Sequence, residues 1–389
     1  MKKILRIINR FNLGGPTYNA AYLTKYLKSD YETLLIGGQH DESEKSSMHI
    51  LEGLDLKPII IPEMQRSLNP YKDQIAYRKI QNIIKEFKPD IVHTHAAKAG
   101  ALGRRAAYKL GVKQIYHTFH GHVFHSYFGH FKTNIFKKIE RDLAKKTTKI
   151  IAISEIQKKE LSKIHKICPE EKIEVIPLGF DLKRFSTNKN SKRKEFREKW
   201  NIKENEIAFG IIGRLVPIKN HFFFIDAVQE VLKKSEVPIR AFIVGDGEEK
   251  QNIINYIKNK NLDYSLDYSP ATFQLTSWIK EVDKVNSGMD IICLTSLNEG
   301  TPVSLIEAQA SSKPIVSTKT GGIENIVLEN KTALLSKNND LHSFSKNLLS
   351  LVNSSEKRRL FSKYGLEKSK DFHYDKLING MKNLYLNKL

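Results

Sequence analysis

Cysteine is scarce in this chain of 389 residues, which contains only Cys168 and Cys293. Two cysteines exclude a scaffold of several disulfides and a four-cysteine zinc site, and they fit a reducing compartment. Long apolar runs are also missing, since none approaches the roughly 18 residues that span a bilayer. The basic and apolar start is interrupted by Asn9 and Arg10, so we expect no secretory signal. These absences predict a cytoplasmic protein that reaches a membrane only peripherally, at its inner face.

Acidic residues are few relative to basic ones, because 43 Asp and Glu stand against 64 Lys and Arg, for a formal charge of +21. A surplus of this size indicates an anionic partner, which nucleic acid, an acidic membrane surface or a phosphorylated ligand would each provide. The composition is otherwise that of a folded protein, with 40% hydrophobic and 28% charged residues. The length suits two domains of roughly 100–200 residues each.

Several motifs with known chemistry are missing from the sequence. There is no G-x-G-x-x-G turn with the acidic residue that should follow it, and no Walker P-loop, which excludes the common dinucleotide and P-loop sites. There is no H-E-x-x-H zinc motif and no Asp-x-Asp pair that could clamp a diphosphate through a metal ion. We therefore expect no metal ion and no bound cofactor.

The first half of the chain alternates short apolar segments with amphipathic ones. This alternation predicts an α/β domain over residues 1–182, with a parallel sheet covered on both faces. Strands are predicted at residues 3–9, 33–37, 58–61, 90–95, 114–120, 149–154 and 172–177. Helices are predicted between them at residues 17–27, 71–87 and 98–110.

The second half repeats this pattern after a break. Residues 183–205 are polar and basic, which favours a linker with one charged helix. Strands are then predicted at residues 207–213, 240–244, 290–295, 314–317 and 333–335, and helices at 221–233, 248–260, 302–311 and 341–351. Residues 206–371 are thus a second Rossmann-like domain, and residues 372–389 form a separate amphipathic tail. We expect the two domains to face a central cleft, with ligands at the carboxyl ends of the strands.

The most specific segment is DIICLTSLNEGTPVSLIEAQA at residues 290–310. A buried strand leads into a loop with Glu299, and a helix follows that carries Glu307. We expect Thr301 to cap this helix and Pro302 to occupy its first turn, where the helix dipole favours a phosphate or a sugar hydroxyl. The residues expected to face such a ligand are Gly300, Thr301, Pro302 and Val303. An ordinary capped helix with two surface glutamates is the alternative.

Two further turns follow predicted strands. In the segment GIIGRLVPIKN at residues 210–220, Arg214 comes directly after Gly213 at a strand end and Lys219 precedes a helix. Together these cations could neutralise a diphosphate, although two solvated basic residues would give the same pattern. At the first turn, Gly14 and Gly15 open a helix and allow close approach of a ligand to the backbone.

Histidines concentrate at residues 93–95 and 117–125, at the ends of two neighbouring strands. Zinc binding is disfavoured, because the cysteines lie elsewhere and no zinc spacing is present. We expect His120 to line the cleft from the first domain. The candidates for contact with an acceptor are His93, His95 and His122.

These residues together resemble the retaining glycosyltransferases of family four, which have the GT-B fold. The resemblance runs nearly end to end. The motifs that carry it are GG at 14–15, HTH at 93–95, TFHGH at 118–122, SEIQKKEL at 154–161, VIPLGFD at 175–181, GRLVPIKN at 213–220, VGDGE at 244–248 and EGTPVSLIEA at 299–308. The last is similar to the Glu-x7-Glu motif of the family. The resemblance also implies a C-terminal helix that crosses back to the first domain.

The resemblance implies a role for each candidate. Glu299 would contact the hydroxyls of the donor sugar, Glu307 would hold the ribose, and Arg214 with Lys219 would bind the diphosphate. From the first domain, Gly14 and Gly15 would approach the phosphates or the sugar, and His120 would contact the sugar near its reacting carbon. Residues 273–282 would hold the base, but they carry Thr276 and Ser277 where the family commonly has a glycine.

The reaction implied is transfer of a sugar from a nucleotide diphosphate sugar, UDP-linked by expectation, to a saccharide or lipid-linked acceptor of cell-surface polysaccharide synthesis. The anomeric configuration would be retained, without a metal ion and without an enzyme nucleophile. A GT-B sugar-nucleotide epimerase is the nearer alternative. A nucleic-acid-binding protein is the more remote one, since no RNP-like motif accompanies the lysines.

Part of the charge surplus lies in residues 131–149, where seven Lys and Arg accompany apolar residues at helical spacing. Such a helix could lie on anionic lipid, in keeping with a lipid-linked acceptor. An ordinary amphipathic helix with a solvated basic face is an equally good interpretation of the pattern.

Overall fold

The computed structural model describes residues 1–12, 14–40, 46–65, 67–121 and 130–386. His122, one of the predicted acceptor residues, lies outside these ranges. The chain divides into two compact units. The first unit contains Met1–Phe180 together with Phe372–Leu389, and the second contains Asp181–Asp371.

In its described part, the first unit has one sheet of seven parallel strands in the order β3-β2-β1-β4-β5-β6-β7. The strands are β1 (Lys2–Arg10), β2 (Tyr31–Gly38), β3 (Ile59–Ile60), β4 (Ile91–His95), β5 (Gln114–Thr118), β6 (Lys149–Ala152) and β7 (Ile173–Val175). The helices up to residue 180 are α1 (Gly15–Tyr26), α2 (Met48–Gly53), α3 (Pro70–Phe87), α4 (Ala97–Lys109), α5 (His130–Lys145) and α6 (Glu155–Lys159).

The second unit, described without gaps over residues 181–371, has another seven-stranded parallel sheet in the order β10-β11-β9-β8-β12-β13-β14. Its strands are β8 (Ile207–Ile212), β9 (Ile239–Val244), β10 (Tyr264–Ser265), β11 (Phe273–Thr276), β12 (Ile291–Leu294), β13 (Ile315–Thr318) and β14 (Ala333–Ser336). Its helices are α7 (Lys183–Ser186), α8 (Lys189–Lys199), α9 (His221–Leu232), α10 (Lys250–Asn259), α11 (Val282–Gly288), α12 (Val303–Ala310), α13 (Ile323–Ile326), α14 (Leu341–Val352) and α15 (Ser355–Ser369).

The last helix, α16 (Tyr374–Tyr385), belongs to the first unit. Side chains alternate across β1, so that Leu5 and Ile7 pack under α3 and α4 while Ile4 faces the opposite side of the sheet. There Ile4 joins a cluster with α1 and α16, to which Met381 and Leu384 contribute. The C-terminal helix therefore covers one face of the first sheet, as the resemblance predicts.

The polar segment 183–205, predicted as a linker with one charged helix, lies within the second unit. Two arginine side chains of its helix α8 contact the end of α11 and Asp290, which follows it. Arg193 donates to the carbonyl of Gly288 and forms an ion pair with Asp290 at 2.7 Å, and Arg197 forms a second at 3.2 Å. The basic composition therefore reflects the capping of a helix end by cations and not an unstructured connection.

Two strands of the second sheet, β10 and β11, were not among those predicted. They are short and β11 lies inside the sheet, where Phe273 pairs with Ala241 of β9. The basic helix predicted over residues 131–149 is also shorter, because α5 ends at Lys145 and β6 begins at Lys149. Within the residues described, no helix combines the length and the apolar character needed to cross a bilayer.

Candidate functional site

Two loops of the second unit are fastened together at the carboxyl ends of β8 and β12. The Thr295 hydroxyl donates to the main-chain carbonyls of Lys219 (2.9 Å) and Asn220 (3.1 Å), and the Leu297 N–H donates to the carbonyl of Ile218 (2.9 Å). Thr295 is fully buried, so these bonds are shielded from water. They place the turn before α9 against the loop before α12.

The fastened loops bring Lys219 and Glu299 into direct contact. The Lys219 ammonium donates to Glu299 Oε1 at 2.5 Å, and the Ser296 hydroxyl donates to the same oxygen at 2.6 Å. The two charged side chains are 20% and 11% exposed, which leaves each a limited opening to solvent. A carboxylate held by two donors has a fixed orientation, and its second oxygen remains available as an acceptor.

A pair of glycines supports the backbone at Glu299 and Gly300. Gly321 has φ +53°, and a Cβ there would lie 1.9 Å from the Glu299 carbonyl oxygen. A Cβ on Gly322 would lie 1.8 Å from the Gly300 carbonyl oxygen, and its N–H donates to Glu299 at 3.0 Å. The sequence analysis missed this pair, although two adjacent glycines after a buried strand are a signal of close backbone approach.

Helix α12 begins one residue later than expected. Pro302 occupies the N-cap position, with an extended ψ of 97°, and the helix starts at Val303. The prediction that Thr301 is the cap is therefore wrong, and no side chain of the described residues caps this end. The Pro302 carbonyl accepts from the Leu305 N–H at 3.1 Å, which closes the first turn without Thr301. Space beside Gly300 is open, since no atom lies within 4 Å of a Cβ built there.

Glu307 lies on α12, two turns beyond this loop. Its carboxyl group has no hydrogen-bond or ion-pair partner among the described residues. Burial raises the pKa of Glu307 to about 7, an effect that Arg184 opposes and Asp283 reinforces. A half-buried carboxyl group with no partner among the described residues, in a protein with a large cationic surplus, suits a group that awaits hydroxyl donors from a ligand.

Arg214 differs from Lys219, because its side chain is exposed and has no partner among the described residues. It follows Gly213, whose N–H donates to the Val244 carbonyl at 2.9 Å. Gly245 has φ +146°, and a Cβ there would lie 1.9 Å from the Gly213 carbonyl. The glycines of the VGDGE segment thus let the loop that carries Arg214 pass close to β9.

The segment expected to hold the base comprises β11 and the residues after it. The Thr276 hydroxyl donates to the Ser277 carbonyl at 2.9 Å, and the Lys250 ammonium donates to the Ser277 hydroxyl at 3.0 Å. Thr276 and Ser277 therefore organise this turn with side-chain hydroxyls. The assignment of the segment to a base stays a prediction.

In the first unit, Gly14 and Gly15 lie where β1 passes into α1. Gly14 has extended backbone (φ 164°), and Gly15 is the first helical residue, followed by Pro16. A Cβ on Gly15 would lie 3.3 Å from Leu178, so this helix end packs tightly against the segment after β7. Their contact with a donor stays a prediction.

His93 is buried in the first unit, and its surroundings argue against contact with an acceptor. Its Nδ1 lies 2.6 Å from the Tyr385 hydroxyl and its Nε2 lies 2.8 Å from the Thr118 hydroxyl. Both ring nitrogens are therefore engaged within the fold. Tyr385 lies 292 residues away in sequence, so no local pattern could indicate this role.

His95 and His120 form a pair at the carboxyl ends of β4 and β5. His95 Nδ1 lies 3.0 Å from His120 Nε2, while His95 Nε2 and His120 Nδ1 have no hydrogen-bond partner among the described residues. Burial lowers the pKa of His120 to about 3 and that of His95 well below its usual value, so both rings are neutral at pH 7. Across the described ranges, no three His, Cys, Asp or Glu side chains are grouped as metal ligands would be.

Comparison with known proteins agrees with this arrangement. The model of "Glycosyltransferase Family 4" matches residues 13–184, and the model of "Glycosyl transferases group 1" matches residues 192–368. A UDP-Gal:α-D-GlcNAc-diphosphoundecaprenol α-1,3-galactosyltransferase of Escherichia coli is 31% identical over 348 residues, which cover 88% of this chain and 87% of that protein.

Solved structures share the fold at lower identity. Anabaena HepE in complex with UDP is 18% identical with a TM-score of 0.79, and the match covers 100% of both chains. S. aureus TarM, with UDP, fondaparinux and α-GlcNAc-glycerol, is 15% identical with a TM-score of 0.69 over 99% of this chain and 100% of that one. Two parallel Rossmann-like sheets with these loops define a glycosyltransferase of the GT-B fold that uses a nucleotide sugar. The chain belongs to glycosyltransferase family 4.

Proposed function

We propose that this enzyme transfers a sugar from a UDP-linked donor to a lipid-linked saccharide in the synthesis of a cell-surface polysaccharide, with retention of anomeric configuration. The observation that carries the proposal is the Lys219–Glu299 contact beside the start of α12. The E. coli relative supports the choice of donor and acceptor, because its name states UDP-Gal and α-D-GlcNAc-diphosphoundecaprenol. HepE, which shares the fold, binds UDP.

The second unit would bind the donor. The free carboxyl group of Glu307 accepts hydrogen bonds from the ribose hydroxyls, and the second oxygen of Glu299 accepts from a hydroxyl of the sugar. Arg214 and Lys219 bind the diphosphate, one as an exposed and adaptable guanidinium and the other as a fixed ammonium. The backbone of Gly300, Thr301 and Val303, at the amino end of α12, adds a favourable dipole for phosphate, and Pro302 sets its direction.

The chemical step would form no covalent bond between the sugar and the enzyme. The bond from the anomeric carbon to the diphosphate oxygen breaks, and the acceptor hydroxyl forms the new bond on the same face. A phosphate oxygen of the departing diphosphate accepts the proton of that hydroxyl. Arg214 and Lys219 stabilise the negative charge that develops on the leaving group, which in our proposal takes the place of a metal ion.

The candidates of the first unit would serve the sugar and the acceptor. His120 is neutral, so it can offer one hydrogen bond to a sugar hydroxyl without placing a charge near the reacting carbon. His95 fixes the orientation of the His120 ring. Gly14 and Gly15 would approach the phosphates with their backbone. We further propose that the acceptor lipid brings the enzyme to the anionic inner face of the membrane. Helix α5 would then face the lipid.

Product analysis tests the proposed reaction. The enzyme is incubated with UDP-galactose, UDP-glucose or UDP-N-acetylglucosamine, with and without an α-GlcNAc diphosphate lipid and in the presence of EDTA. We expect one donor to be consumed in the presence of the acceptor, with an α-linked product and no loss of rate in EDTA. A β-linked product, a rate that vanishes in EDTA, or an epimerised donor formed without acceptor would each contradict the proposal.

Glu307 should make donor binding depend on pH. Because the ribose hydroxyls need the carboxylate as acceptor, protonation of Glu307 competes with the donor. With a pKa of about 7, the Kd for a UDP-sugar is expected to rise about tenfold from about pH 8 to about pH 6. Calorimetric titration at several pH values measures this slope.

Glu307→Gln is expected to bind the donor more weakly and with little pH dependence. Because the fold disfavours the Glu307 carboxylate, the stability of the wild-type protein falls as the pH rises from the usual pKa of Glu toward 7. Glutamine carries no charge, so above pH 7 the variant should unfold at the same temperature as the wild type or at a higher one. Glu236→Gln, at an exposed position of the same unit, is the matched control. An unchanged slope in Glu307→Gln would assign the pH dependence to another group.

A further inference from the structure

A basic cavity of about 420 Å³ lies in the first unit, between α5 and the segment that connects α6 with β7. Of the described residues, four cationic side chains and no acidic side chain line it. They are Arg141, Lys145, Lys166 and Lys172, and the apolar part of the lining includes Ala144 and Ile167.

Arg141 builds the cavity wall. Its Nε donates to the carbonyl of Lys166 and its Nη2 to the carbonyl of His165, each at 2.8 Å. Both acceptors are main-chain groups, so the guanidinium fixes the path of the loop that carries Lys166. The cavity is therefore held in shape before any ligand arrives.

Lys145, Lys166 and Lys172 have no hydrogen-bond or ion-pair partner among the described residues. Of the acidic residues next to the cavity in the sequence, Glu170 contacts Lys163 at 3.2 Å and Glu174 contacts Lys149 at 2.7 Å, while Glu171 is exposed outside the lining. Three unpartnered ammonium groups around one depression attract an anion.

Apolar surface beside the cavity narrows the class of anion. Ala144 and Ile167 are buried in its floor, while Ile164 at the end of the preceding helical turn is 58% exposed. An exposed isoleucine among lysines matches a membrane interface, where apolar groups enter the headgroup layer.

We infer that this cavity receives the phosphate headgroup of an anionic phospholipid and docks the first unit on the membrane. The inference rests on the membrane association proposed above and gives it a site. Ala144 and Lys145 precede β6, and Lys172 precedes β7, so the cavity lies at the amino ends of these strands. His95 and His120 lie at the carboxyl ends of the same parallel sheet, so substitutions in the cavity do not touch the proposed catalytic residues.

Vesicle flotation with the full chain tests the site. Vesicles of phosphatidylglycerol with phosphatidylcholine are compared with vesicles of phosphatidylcholine alone. The cavity variant is Lys166→Glu with Lys172→Glu. The matched control, Lys234→Glu with Lys346→Glu, changes the net charge equally at exposed, unpartnered lysines of the second unit. We expect the wild type and the control to float with anionic vesicles, and the cavity variant to bind at least about tenfold more weakly.

The possible failures are distinguishable. If the wild type does not bind anionic vesicles, the membrane association itself is overturned. If the cavity variant binds them as tightly as the wild type does, only the cavity is overturned as the binding site. Equal weakening of the control pair would assign binding to net charge, which also overturns the cavity. Binding of a single-stranded oligonucleotide that depends on Lys166 and Lys172, without vesicle binding, would replace lipid by nucleic acid. Transfer to a water-soluble acceptor should be the same in all variants.

Discussion

Replacing Lys219 by alanine is expected to lower the kcat of sugar transfer about 10²–10³-fold, the range found when one charge-stabilising donor is removed from an active site. The Lys219 ammonium is fixed by its 2.5 Å contact with Glu299 Oε1. In the proposed reaction it meets the charge that develops on the leaving diphosphate. Its loss should therefore act on kcat more than on the KM for the donor. Initial rates over a range of UDP-sugar concentrations separate the two constants.

The second unit should stay folded in the Lys219→Ala variant. The bonds that fasten the two loops use the main-chain carbonyls of Lys219 and Ile218 as acceptors, and alanine keeps both. Lys234→Ala, at an exposed lysine of the same unit, serves as control and should keep its kcat. Near-normal turnover by Lys219→Ala would remove Lys219 from the mechanism.

Glu299→Gln is expected to lower kcat/KM about 10²-fold, because the amide nitrogen that replaces the second carboxylate oxygen cannot accept from the sugar, and the contact with Lys219 loses its negative charge. Glutamine keeps the shape of the side chain and can still accept from the Ser296 hydroxyl, which lies 2.6 Å from Oε1. The loop should therefore hold its conformation. Thermal unfolding of the variant checks this. If the variant unfolds at a much lower temperature than the wild type, the loss of activity would be explained by lower stability and not by the lost contacts.

Two measurements test the role of Glu299: the first asks whether it is a nucleophile, and the second asks whether it acts together with Lys219. Intact-mass analysis after incubation with a 2-fluoro UDP-sugar should show no glycosyl adduct, and an adduct on Glu299 would overturn the proposed same-face transfer. The double variant Lys219→Ala with Glu299→Gln should lose less activity than the product of the two single losses, since each single change already breaks the same ion pair.

The order of strands and helices is predictable from this sequence because the hydrophobic pattern is local. Predicted strands at residues 3–9 and 90–95 correspond to β1 and β4, since short runs of apolar residues at positions 4–5, 7–8 and 91–92 suit a buried strand. The missed strand β11 carries Gln274 and Thr276 among its four residues, so its apolar signal is weak. Its place in the sheet comes from pairing with β9, which only the tertiary structure provides.

The candidate site is predictable only in part, because local spacing is visible in the sequence and tertiary contacts are not. The spacing of Glu299 and Glu307 within one segment is visible in the sequence, but the contact of Glu299 with Lys219 joins residues 80 positions apart. The wrong cap at Thr301 arises because threonine favours the N-cap in general, whereas here the extended ψ of Pro302 sets the start of the helix.

The interrupted first unit has a consequence for synthesis on the ribosome. The Tyr385 hydroxyl lies 2.6 Å from His93 Nδ1 and 3.3 Å from Arg6 Nη1, and all three side chains are buried. Arg6 and His93 leave the exit tunnel long before Tyr385, so until then these polar groups lack the partner that permits their burial. The second unit is continuous in sequence and completes its sheet earlier. The first unit therefore completes the packing of its core only after its last helix emerges.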